Sequence, residues 1–177
     1  MADLLVVTGP PGSGKSTVAE LLVEGIEPAS LIPGDVFFAF WRRGAIAPWL
    51  PEAHHQNEVV LGAAAAAAGT FVAGGCTVVY DGVLGPWFLA TFARATGLAT
   101  LHYVVLMPSL EQCLDRVATR RGHGFTDPAA TRRMHAAFAA ADLPERHVLR
   151  DPPDEPGRVA AEILDRFRAG TSLVRQG

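Results

Sequence analysis

Lysine is almost missing from this chain. Among 177 residues Lys15 is the only one, and every other cationic side chain is arginine. A codon bias replaces lysine wherever arginine serves as well, whereas a site needing a compact ammonium on a flexible stem resists the exchange. Cysteine is scarce too. Cys76 and Cys113 stand far apart with no metal-ligand spacing, which excludes a secreted disulfide scaffold and leaves them as small buried hydrophobes. There is no basic surplus. The net charge of -3 argues against nucleic acid as the main partner, with only a local basic cluster at 116–121. No long hydrophobic run exists either. The longest, 61–73, is mostly alanine and too short to span a bilayer. The first residues show no basic n-region and no cleavage site, so the cytoplasm is the expected compartment.

What is present reads as one globular domain over residues 1–177, with 49% hydrophobic and 19% charged residues. Apolar runs alternate with helical patterns from end to end, the mark of a parallel sheet covered on both faces. Strands are expected over 4–8, 30–32, 77–80, 101–106 and 147–150. Helices are expected over 15–24, 36–41, 52–72, 86–95, 110–120 and 158–168. Ser109 with Gln112 forms a capping-box start signal, and Asp127-Pro128 opens a further helix. Residues 42–51, rich in turn residues and aromatics, read as a connecting segment over a site. The fold class is α/β, three layers with a five-stranded parallel sheet in the order 2-3-1-4-5 and helices on both faces.

The segment Gly9-Pro-Pro-Gly12-Ser13-Gly14-Lys15-Ser16-Thr17 matches G-x-x-x-x-G-K-[ST] without departure. It follows an apolar strand and opens a helix, as a phosphate-binding loop must. Its backbone N–H groups wrap a phosphate, and the helix N-terminus adds positive partial charge. Lys15 is expected on the outer phosphates of ATP and the Ser16 hydroxyl on Mg²⁺. A GTPase would carry an Asn-Lys-x-Asp motif, which the single lysine excludes. A ring or motor ATPase needs more chain for its lid and arginine relay. Kinases of small molecules or nucleotides fit the length best.

The remaining polar candidates suit that chemistry. Asp35 stands just beyond the second strand, where the ligand side of a doubly wound sheet lies. A carboxylate there takes the proton of an attacking hydroxyl or orients it; the alternative is a cap on the following short helix. Asp81 ends the third strand and serves either the magnesium shell or the substrate, unless it is only a turn residue. Arg116 and Arg120 share a helix face ahead of Gly122-His123-Gly124, a hinge for a lid around 120–127; Arg121 is on the neighbouring face. Such arginines neutralise transition-state charge and clamp ATP, or form an ordinary solvated face.

In these residues the chain resembles the small P-loop kinases, within the AAA-type P-loop NTPase superfamily, that include gluconate kinases, adenylylsulfate kinases and chloramphenicol phosphotransferase. The likeness to gluconate kinases rests on the loop, Gly34-Asp35, Pro48-Trp49-Leu50 and Arg116…Arg120-Arg121-Gly122-His123. The likeness to chloramphenicol phosphotransferase rests on the loop, Asp35 and Asp81-Gly82-Val83-Leu84-Gly85. The resemblance implies Asp35 as catalytic base and Arg120 as a lid residue.

One departure matters. After Asp35 the chain reads Val-Phe-Phe-Ala-Phe-Trp-Arg-Arg, where gluconate kinases are more polar. Phe37, Phe38, Phe40, Trp41, Trp49 and Trp87 are candidates to wall an apolar pocket, with ordinary core packing the alternative for each. His54, His55, Gln56 and Asn57 are candidates to hydrogen-bond a hydroxylated substrate, or to cap the long helix. The expected activity is transfer of the ATP γ-phosphate to a small-molecule hydroxyl. Catalysis falls to Asp35, Lys15, Arg120 and Arg116; acceptor binding falls to Asp35, Phe38, Trp41, Asp81 and His54; Mg²⁺ falls to Ser16 and Asp81. The rival expectations are a nucleotide or polynucleotide kinase and a non-catalytic ATP-binding regulator.

Overall fold

Strand β1 (Leu4–Thr8) is completely buried, because five consecutive apolar or β-branched residues sit at the centre of a sheet covered on both faces. The computed structural model of the protein describes residues 2–119 and 125–176. Around β1 run helix α1 (Lys15–Glu24), β2 (Ala29–Pro33), α2 (Gly34–Ala39), α3 (His54–Ala73), β3 (Thr77–Asp81), α4 (Pro86–Thr96) and β4 (Thr100–Met107). They are followed by α5 (Leu110–Thr119), α6 (Pro128–Ala139), β5 (Val148–Arg150), α7 (Pro156–Arg168) and β6 (Leu173–Arg175).

The parallel strands lie in the order β2-β3-β1-β4-β5, as expected from the sequence. A sixth strand was not foreseen. Antiparallel β6 pairs Thr100–His102 at the start of β4, while β5 pairs Val105–Met107 at its end. The eight-residue β4 thus carries two short strands end to end along one edge. Three residues of β6 are too few to show a strand alternation.

Side chains alternate across the sheet and divide the core in two. Leu4, Val6, Val78, Tyr80, Tyr103 and Val105 pack toward α3 and α4. Leu5, Val7, Val79, Val104 and Leu106 pack toward α1 and α7. The alanine run of α3 is a close-packing device on its buried face: Ala64, Ala65 and Ala68 are fully buried. On the same helix a Cβ at Gly69 would lie 1.9 Å from the Thr96 carbonyl of α4, so the two helices meet at backbone distance.

The helix-start signals form as the sequence implies. Ser109 N–H donates to Gln112 Oε1 at 3.1 Å, and Gln112 N–H donates to Ser109 Oγ at 3.2 Å. Asp127 Oδ1 accepts from the amides of Ala129 and Ala130. Among the described residues no helix is long and apolar enough to cross a membrane.

Candidate active site

The glycine loop joins β1 to α1, and its shape is dictated by close packing. Gly12 has φ of +81°, and a Cβ there would lie 2.3 Å from the Cys113 carbonyl, so only glycine fits against α5. Buried Cys113 is the floor under the loop, and burial pushes its thiol up to about 11, keeping it neutral. Helix α1 begins after Gly14 with no side-chain cap. Its first-turn amides therefore lack an internal partner, which is the arrangement an anion requires. Ser13 Oγ, buried beside Gly9, has no partner among the described residues.

Lys15 and Ser16 open into a cavity of about 530 Å³. Asp35 and Gly34 border it from the start of α2, and Phe38 from the next turn. Further walls come from Trp49, Leu50, His54, Leu61, Val83, Trp87, Phe88 and Met134. Lys15, Ser16 and Asp35 border the cavity, α6 adds the cation of Arg133 beside Met134, and the rest of the wall is largely apolar and aromatic. His54 stacks on Phe88 with ring centroids 5.0 Å apart. Trp49 meets Phe125 edge to face at 5.1 Å, so the 42–51 segment touches the far end of the expected lid. Trp41 does not join this group. It lies in a separate shallow depression with Phe37, Phe40, Arg42, Arg43 and Val59, because its position on the turn after α2 faces α3 instead of the cavity.

Gln56 and Asn57 hold protein backbone. Gln56 Nε2 donates to the Ile46 carbonyl and Gln56 Oε1 accepts from the Ile46 amide, each at 2.8 Å. Asn57 Nδ2 donates to the Pro48 carbonyl at 2.7 Å. Both side chains are buried and strap the connecting segment across the cavity, and Asn57 also lines that cavity, its Oδ1 without a partner among the described residues. Nothing in the local sequence announces this, since the partners are backbone groups of an irregular loop. His55 is exposed and pairs weakly with Glu58 at 4.0 Å.

Asp81 ends β3 on the face opposite to Tyr80. It does not line the cavity, and instead sits near Lys15 and Ser16. Burial raises its carboxyl above the ordinary range, opposed by the Lys15 charge and the Ser16 hydroxyl and reinforced by Asp35 and Glu20. Its Oδ1 is buried without a hydrogen-bond partner among the described residues. There no group of three or more His, Cys, Asp or Glu gathers to enclose a metal. An orphaned carboxylate oxygen beside a hydroxyl suits Mg²⁺, which takes few protein ligands and completes its shell with phosphate and water.

Arg116 reaches the phosphate loop itself. Nη1 donates to the Gly12 carbonyl at 3.5 Å, and Nη2 pairs with Asp154 at 3.0 Å. It braces the loop beside Gly12 and Gly14 and is not among the walls of the cavity. Gln112 also donates to Asp154, at 3.3 Å. Arg120, Arg121 and the Gly122-His123-Gly124 hinge lie outside the described residues. The loop 82–85 beyond Asp81 is fixed by Thr8, whose Oγ1 accepts from Leu84 N–H at 2.8 Å, and by Tyr103, whose hydroxyl donates to the Leu84 carbonyl at 2.7 Å.

Comparison with known proteins agrees with this fold. No curated protein matches the sequence. A sugar kinase from Janibacter sp. HTCC2649 superposes with a TM-score of 0.72 at 20% identity, covering 95% of each chain. The tunicamycin resistance protein of Deinococcus radiodurans gives 0.71 at 14% identity, covering 94% of this chain and 96% of that one. A gluconokinase from Sinorhizobium meliloti 1021 gives 0.64 at 21%, covering 96% and 93%. Identities this low establish a shared fold. Residues 5–128 match the family described as an AAA domain. With its phosphate loop, its sheet order and these neighbours, the chain belongs to that AAA domain family and has a P-loop kinase-like fold.

Proposed function

We propose that the protein transfers the γ-phosphate of ATP to a hydroxyl of a small molecule with an apolar or aromatic body. One observation carries this reading: Lys15, Ser16 and Asp35 open into the same cavity as Phe38, Trp49, Trp87 and Phe88. Phosphate-gripping groups and a carboxylate thus share one space with aromatic walls. A phosphate grip alone would serve any nucleotide-binding protein.

The loop amides and Lys15 hold the β- and γ-phosphates. Ser16 and Asp81 are the residues that would hold Mg²⁺, which would supply positive charge to offset that of the phosphates. The acceptor lies along the aromatic walls with its hydroxyl at Asp35. Asp35 takes the hydroxyl proton as the oxygen attacks the γ-phosphorus, and the bond from phosphorus to the bridging oxygen breaks to release ADP. Arg116 braces the loop through Gly12, and Arg120, on sequence grounds, meets the charge of the transferred group. The strapped 42–51 segment keeps water from the reacting centre, which limits wasteful hydrolysis.

The test is ADP release from Mg-ATP over a panel of sugar acids, hydroxylated aromatic antibiotics, nucleosides and short oligonucleotides. Acceptor-dependent release is expected with a hydroxylated aromatic. Asp35→Asn is expected to lower it about 10²–10⁴-fold while ATP binding persists. Undiminished turnover in that variant sinks the base assignment. Tight ATP binding with no release on any acceptor would favour a regulatory role.

A further inference from the structure

The last two side chains of β3 leave the sheet on opposite faces. Asp81 goes to the phosphate-loop side and Tyr80 to the cavity side, where it lines the same space as Asp35. Tyr80 is 1% exposed, and its ring packs on Phe92 at 4.8 Å. Its hydroxyl ends between two glycines. A Cβ on Gly34 would lie 2.3 Å from Tyr80 Oη, and one on Gly82 would lie 2.8 Å from it. Gly34 immediately precedes Asp35, and Gly82 immediately follows Asp81, so the phenol is wedged between the two carboxylate-bearing chain ends.

Buried phenols normally donate to a partner. Tyr103 on the same face does so, to the Leu84 carbonyl. Among the described residues Tyr80 makes no corresponding bond, and its ring rests on Phe92. The remaining direction for its O–H is the cavity itself. A phenol keeps its proton at neutral pH and so is a donor there.

We propose that Tyr80 positions the acceptor by donating a hydrogen bond to the attacking hydroxyl, and thereby selects alcohols over amines. The inference rests on the reading of the cavity as the acceptor site. An alcohol oxygen carries one proton and two lone pairs. The proton goes to Asp35, and one lone pair forms the bond to phosphorus as the bond to ADP breaks. The second lone pair, enclosed by the site, needs a donor, and Tyr80 is the group in place to supply it. A neutral amine has a single lone pair, which the attack consumes. An ammonium has none. The ammonium leaves the Tyr80 donor unpaired from the moment it binds, and the neutral amine leaves it unpaired once attack begins, which is how a buried polar group rejects a near-isostere.

The experiment compares the full-length protein with Tyr80→Phe, both saturated with Mg²⁺ and a non-hydrolysable ATP analogue. Binding of 2-phenylethanol, 2-phenylethylamine and propylbenzene is followed by fluorescence of Trp49 and Trp87, which line the cavity. The wild type is expected to prefer the alcohol to both analogues. Tyr80→Phe should weaken alcohol binding about fivefold and leave propylbenzene within twofold. With any panel alcohol that is turned over, the same variant should lower kcat/KM while KM for ATP stays unchanged. An unchanged alcohol affinity, or equal losses for alcohol and hydrocarbon, overturns the proposal, since the phenol would then be packing only. Failure of all three probes to bind either protein would overturn the acceptor-cavity reading, and Tyr80's role with it.

Discussion

Replacing Gly34 by alanine probes the junction on which both Asp35 and Tyr80 depend. The added Cβ would stand 2.3 Å from Tyr80 Oη, 2.8 Å from its Cζ and 3.3 Å from the Asp81 carbonyl oxygen. Ordinary contact begins at 3.4 Å, so ring or helix must yield by roughly 1 Å. The ring has no room to retreat, being fully buried against Phe92. Overpacking of this kind costs about 1–3 kcal/mol. Alanine recovers part of that by its helix propensity, at most about 1 kcal/mol over glycine, and less at the first residue of a helix. A net loss of about 1–2 kcal/mol follows, or roughly 2–8 °C in Tm for a chain this long.

The diagnostic is a double-mutant cycle with Tyr80→Phe, read by urea denaturation at neutral pH. Removing Oη deletes the shortest of the three contacts and leaves Cζ, so the penalty should shrink but persist. The expected coupling is about 0.5–1.5 kcal/mol. Gly34→Ala within about 0.5 kcal/mol of wild type would refute the crowding argument. The same cost in both backgrounds would show that the phenol is not the neighbour that matters.

Three further outcomes are expected. Asp81 carries a folded pKa raised by burial, so the native state holds more protons than the unfolded chain between the two pKa values, and stability falls as pH rises through that window. Asp81→Asn should therefore raise the urea midpoint at neutral pH, with the advantage vanishing below the ordinary carboxylate range, while Mg-nucleotide affinity drops; an advantage independent of pH would contradict the cause assigned to the shift. Gln56→Ala removes both bonds to Ile46 at a cost of about 1–3 kcal/mol, and hydrogen exchange over 44–50 should accelerate; unchanged exchange there would mean the strap holds nothing. Lys15→Arg should weaken ATP binding at least about tenfold despite the retained charge; near-normal binding would leave codon bias as sufficient reason for the lone lysine.

The phosphate loop, the five parallel strands and the two capping signals were legible in the chain because each rests on near neighbours. A glycine loop between an apolar run and a helix is a local pattern, and so is Ser109 with Gln112. Asp35 was legible as well, since strand ends on the ligand side follow from the fold class. What the sequence could not tell is where side chains separated by tens of residues meet. It offered Asp81 to magnesium or substrate alike, and the alternation of β3 turned it toward Lys15 and Ser16 while sending Tyr80 to the cavity. It grouped Trp41 with the pocket aromatics, yet the turn after α2 carries that ring to a different surface. It offered Gln56 and Asn57 to a substrate; folding gives Gln56 to the Ile46 backbone, while Asn57 holds the Pro48 carbonyl and still borders the cavity. Arg116 shared a helix face with the lid, and only packing showed that the glycine loop claims it first. Local spacing determines which element a residue belongs to, and the packing of elements far apart in sequence decides what that residue faces.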